Sequence, residues 1–125
     1  MDYLASHGEV DLILDTFPYP GGTTTAEALW MGVPTLTLAQ PGMLGRQGQS
    51  IMSAVGLHHW VVDTEADYIG RAIQWAQTST EQLHALALLR SGLREEMKKS
   101  ALLDASRFAR DFEQAIEGMW QDTLA

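Results

Sequence analysis

Apolar positions change their spacing once along the chain, and that change divides it. Up to about residue 63 they come in short runs bounded by turn residues. "VDLILD" (10–15) is a nearly continuous apolar run that ends in a turn cluster, the pattern of a buried parallel strand. "AEALWMG" reads as a helix ending at Gly32, and "VPTLTLA" alternates through Thr35, Leu36, Thr37 and Leu38 as a second strand. "QPGMLGRQG" reads as a loop, "QSIMSAVG" as a helix and "HHWVVD" as a third strand. Strand, helix, strand, helix, strand predicts an α/β fold: a short parallel sheet with covering helices, a partial Rossmann-like unit. Ahead of it, "MDYLASHGEV" reads as the end of a helix, with Gly8 as its stop.

From Thr64 onward the spacing is helical throughout. Tyr68, Ile69, Ala72, Ile73 and Ala76 form one face behind a cap of Thr64 and Asp67. Leu83, Leu86, Leu89, Leu93 and Met97 mark the next helix, with Ser79 and Gln82 as its capping box. A third starts at Asp104 and carries Phe108, Phe112, Ala115, Ile116 and Met119 on one side. The expected organisation is a single domain, with a β/α part over 1–63 and a helical buttress over 64–125. Trp30, Trp60, Trp75 and Trp120 are expected in the core and the buttress.

Composition narrows the function classes. A net charge of −8 opposes nucleic-acid binding, so any phosphate ligand must be held by local geometry. The absence of cysteine excludes disulfides and thiolate metal sites. No apolar run approaches a membrane span and no signal pattern opens the chain, so the expectation is a soluble, cytoplasmic protein. His58 and His59 adjoin and would point to opposite faces of a strand, which is poor metal-ligand geometry. His7 and His84 are isolated, and no Ser/His/Asp grouping has a motif around it. No catalytic residue and no metal ligand are assigned.

The chemistry concentrates in "YPGGTTTAEALW" (19–30), after a strand and at the start of a helix. Open parallel sheets bind ligands at that end, and a helix N-terminus offers free amides and partial positive charge to phosphate. Gly21 and Gly22 leave those amides unobstructed, and Thr23, Thr24 and Thr25 add hydroxyl donors. Glu27 lies four residues beyond Thr23 on the same face, where a carboxylate suits the hydroxyls of a ribose better than a phosphate. A second reading fits the same spacing: Thr24 and Glu27 match a capping box, which needs no ligand. Asp15 and Arg46 are further cleft candidates, as is Thr25; orienting the turn is the simpler role for Asp15, and pinning a loop for Arg46.

"VDLILDTFPYPGGTTTAEALWMGVPTLTL" closely resembles the nucleotide-sugar half of O-linked N-acetylglucosamine transferases, including their SPINDLY-like plant and bacterial relatives. The resemblance continues through "GLHHWVVDTEADYIGRAIQWA" and "LRSGLREEMKKSALLDASRFARDFEQAIEGMW", and so covers almost the whole chain. It implies the C-terminal half of a GT-B glycosyltransferase, in which two Rossmann-like domains face a cleft, usually behind TPR repeats that bind protein substrates. Such enzymes move N-acetylglucosamine, or fucose, from a nucleotide-sugar to Ser or Thr hydroxyls without a metal. The resemblance puts Thr23 and Thr24 on the diphosphate of a UDP-sugar and Glu27 on the ribose, and so favours a cap that also holds a ligand. Some members carry His in place of Gly22, Asp in place of Glu27 and Pro in place of Ala101. The phosphate-binding Lys, the uracil segment, the acceptor-side domain and the TPR repeats are implied upstream of Met1. The expectation is therefore a fragment of a longer enzyme, close to inactive alone, with its protein acceptor bound elsewhere. A GT-B transferase for a non-protein acceptor and a non-enzymatic interaction module are the alternatives.

Overall fold

Three short parallel strands, β1 (Ile13–Leu14), β2 (Thr35–Leu38) and β3 (Val61–Val62), form the sheet in the order β1-β2-β3. A computed structural model describes residues 2–125. Among the described residues seven α-helices accompany the strands: α1 (Tyr3–Ser6), α2 (Thr23–Trp30), α3 (Gly42–Gly45), α4 (Gln47–Ala54), α5 (Glu65–Ala76), α6 (Thr80–Lys99) and α7 (Ala105–Leu124). The α/β architecture expected from the alternation of patterns is the one observed.

The strand expected over 10–15 contracts to two residues, and it is an edge strand. Ile13 and Asp15 donate their amides to Pro34 O, just before β2, and Leu36 O of β2, both at 2.9 Å. Alternation along a strand turns the backbone groups of Leu12 and Leu14 the other way, toward an open edge. Leu14 is 50% exposed, although its pattern suggests a strand covered on both faces. β2 departs in the opposite sense. Its Thr-Leu alternation reads as a strand with one polar face, yet all four residues are buried, because the strand is central and α2, α4 and α5 pack around it.

Further local corrections follow from turn chemistry. His58–Trp60 form a 3-10 turn and only Val61–Val62 pair, so the two histidines do not straddle a strand. Gly8 lies within a 3-10 turn (His7–Glu9) and lacks the left-handed backbone of a helix stop, which Gly32 does adopt at φ 81°. The loop expected over 40–48 contains α3 and the first two residues of α4.

The core joins Leu29 of α2, Leu36 and Leu38 of β2, Met52 of α4, Trp60, and Leu86, Leu93 and Met97 of α6. Trp60 stacks on Trp75 with ring centroids 4.9 Å apart. The caps read from the sequence form: Thr64 accepts from Asp67 N, and Ser79 and Gln82 make the reciprocal capping box; Asp104, read only as the start of the last helix, also caps it by accepting from Arg107 N. α7 buries none of its residues, and Trp120 is 60% exposed rather than in the core. Trp30 is also partly exposed, with the Arg94 guanidinium 5.0 Å above its ring. Among the described residues no helix is long and apolar enough to cross a membrane.

Candidate functional site

Between β1 and α2 the chain makes its most elaborate turn, and Asp15 organises it. The buried carboxylate accepts hydrogen bonds from Gly21 N (2.8 Å), Thr16 N (3.0 Å) and the Thr37 hydroxyl of β2 (2.7 Å). Its backbone carbonyl accepts from the Tyr68 hydroxyl of α5 at 2.7 Å. Burial, and then the negative charge of Asp15, hold the Tyr68 phenol above its usual pKa. Within the turn, the Thr16 hydroxyl donates to Tyr19 O at 2.6 Å, and the Phe17–Pro18 peptide is cis. A buried carboxylate with three donors is well compensated, so Asp15 fixes the approach to α2 firmly. This is the orienting role.

That approach leaves the helix start bare. The N-cap of α2 is Gly22, which has no side chain to cap with, and no side-chain cap bond is made. Thr24 already lies inside the helix, so the Thr24–Glu27 capping box that the spacing allowed does not form. The first intrahelical bond runs from Ala26 N to Gly22 O (3.0 Å), which leaves the amides of Thr23, Thr24 and Thr25 without intrahelical partners. A β-carbon on Gly21 would stand 2.7 Å from the Thr24 hydroxyl oxygen and 2.6 Å from that of Thr25, so both hydroxyls converge over this glycine. Gly21, Gly22, Thr23, Thr24 and Thr25 thus meet at one helix end, as the sequence suggested, with Glu27 one turn further on.

A cavity of about 160 Å³ opens beside this end, lined in part by Tyr3, Asp15, Gly21, Thr24, Thr25 and Thr35. The Thr35 hydroxyl is buried without a hydrogen-bond partner. Tyr3 of α1 lies near Glu27: desolvation first, then the Glu27 negative charge, raise the Tyr3 phenol above its usual pKa. Arg46 does not join the cluster through any contact. It is exposed, and its Nε donates to Gly42 O at 3.2 Å.

Sequence reasoning missed several residues here. Gly48 packs α4 against the site, since a β-carbon there would overlap the Thr37 hydroxyl and stand 2.7 Å from Asp15 Oδ2. Its signal was a glycine near the start of a helix, where propensity disfavours it. Gln47 lies against Gly22, where a β-carbon would overlap its Nε2 atom. Tyr68 gave only a helical apolar pattern.

The sequence profile of glycosyl transferase family 41 matches residues 6–112. The chain belongs to glycosyl transferase family 41. It is 43% identical over 119 residues to a probable UDP-N-acetylglucosamine–peptide N-acetylglucosaminyltransferase SPINDLY of Eustoma exaltatum subsp. russellianum, covering 95% of this chain and 12% of that protein. The tomato (Solanum lycopersicum) protein of the same description is 40% identical over 120 residues, 96% of this chain and 12% of the relative. A solved mutant of the Thermobaculum terrenum O-GlcNAc transferase superposes with a TM-score of 0.83 at 38% identity, covering 99% of this chain and 24% of the other. This family 41 chain therefore has the fold of a fragment of a GT-B O-GlcNAc transferase, and it spans about an eighth of the length of its plant relatives.

Proposed function

We propose that this family 41 chain supplies the diphosphate and ribose contacts of a nucleotide-sugar-dependent protein glycosyltransferase. The carrying observation is the uncapped N-terminus of α2, with three amides free of intrahelical partners, the Thr24 and Thr25 hydroxyls converging over Gly21, and Gly21 N held by the Asp15 carboxylate. A diphosphate seated there meets N–H donors and the positive end of the helix dipole, an arrangement that stabilises charge on a departing nucleoside diphosphate. Thr23 and Thr24 donate their hydroxyls to phosphate oxygens, and Gly21 and Gly22 permit the close approach. Glu27 accepts from the ribose hydroxyls, with Tyr3 at its side.

In the full reaction a sugar of the UDP-N-acetylglucosamine type passes to a Ser or Thr hydroxyl of a protein, with no metal required by these contacts. No general base is assigned to this chain, and the protein acceptor is met by other parts of a longer enzyme in the cytoplasm. The chain alone binds nucleotide and does not turn over.

The test is the affinity for UDP of the chain itself, with and without the threonine hydroxyls. A half-site of this kind corresponds to millimolar binding, about 4 kcal/mol. The Thr23→Ala/Thr24→Ala double variant is expected to bind UDP at least about tenfold more weakly, since two hydrogen bonds of about 1 kcal/mol or more each are lost. Equal affinity of the two proteins would contradict the assignment.

A further inference from the structure

Two elements converge on the bare end of α2: the turn held by Asp15, and the start of α4. α4 begins at Gln47 with no side-chain cap of its own, and its first turn is set against the site by Gly48. The Asp15 carboxylate that holds Gly21 is the group that Gly48 packs on, so one buried side chain fixes both helix starts relative to each other. This fit carries the Gln47 side chain across to α2. Its Nε2 atom fills the space where a side chain at position 22 would begin. A glutamine amide offers two N–H donors and is suited to an anion. The buried, unpartnered Thr35 hydroxyl beside the adjoining cavity is a second polar group at this end whose hydrogen bonding the chain itself leaves unmet.

We infer that Gln47 is a further diphosphate-binding residue, its Nε2–H donating to a non-bridging phosphate oxygen of the nucleotide bound at α2. The inference rests on the phosphate role proposed for α2 and adds a contact from a second helix. It gives Gly22 a second purpose: the missing side chain leaves room for a donor delivered from α4. Gln47 is exposed, so its replacement leaves the fold intact.

The experiment is an NMR titration of the isotope-labelled chain with UDP, with inorganic pyrophosphate and with uridine, following the Gln47 side-chain amide and the backbone amides of 21–27. The Gln47 amide pair is expected to shift with UDP and pyrophosphate and to stay still with uridine. Gln47→Ala should weaken UDP about threefold to tenfold, the effect of one hydrogen bond. Gln47→Glu, of the same shape but negatively charged, should weaken it further, with both variants melting as the wild type does. Gly22→Ala should displace the Gln47 amide and weaken UDP as Gln47→Ala does. Shifts at Thr23 and Thr24 with a silent Gln47 amide and an unchanged affinity for Gln47→Ala would remove Gln47 and leave the α2 seat standing. The absence of any shift at saturating UDP and pyrophosphate would overturn both.

Discussion

At the scale of single residues the site depends on Asp15, whose partners come from its own turn, from β2 and, through its carbonyl, from α5. Tyr68 tests how far that arrangement contributes to stability. Tyr68→Phe removes the bond to Asp15 O and is expected to cost about 1 kcal/mol in urea unfolding at neutral pH. The same residue sets an alkaline limit. Its phenol is held above the ordinary value of 10.0, so above that pH the folded chain binds more protons than the unfolded one. The stabilisation is fully present below pH 10 and is lost as pH rises through the folded value, so Tyr68→Phe should flatten the alkaline fall in stability. An equally steep fall in the variant would show that other groups cause it. The glycines and threonines of the turn were legible in the sequence because their requirement is local backbone chemistry. Asp15 was legible as a cleft candidate and an orienting group but without its partners, because Thr37 and Tyr68 lie 22 and 53 positions away and only the fold brings them together.

Elements divide in the same way. Capping residues named α5 and α6 correctly, since a cap is read within four residues of the helix it starts. The period of an apolar stripe, by contrast, says that a face exists and not what it meets. α7 shows this most plainly: Phe108, Phe112, Ile116 and Met119 form the expected stripe, and all are exposed. β1 shows it too, because a run that reads as doubly covered lies at an open edge. Since α7 buries nothing, a chain ending after Asp104 should keep its fold, losing less than about 1 kcal/mol, a shift of no more than about 4–8 °C in Tm. A melting temperature lowered by much more, or an unfolded product, would show that α7 stabilises the fold despite its exposure.

Taken as a whole, the molecule carries a net charge of −8, and the seat proposed at α2 is for an anion. The two are compatible because the seat consists of backbone amides, hydroxyls and a helix dipole acting over a few ångströms, while the overall charge acts at distances that salt screens. The chain covers about a quarter of the Thermobaculum terrenum protein it superposes on, so a site shared with other parts of such an enzyme is expected to bind weakly here. The most direct test of the central claim is a map of backbone amide shifts on adding UDP to the intact chain, with uridine as the comparison. The account predicts that UDP shifts gather at Gly21 to Glu27, and that uridine, lacking the diphosphate, leaves Thr23 and Thr24 in place. Shifts of equal size with uridine, or shifts gathered away from the start of α2, would contradict it.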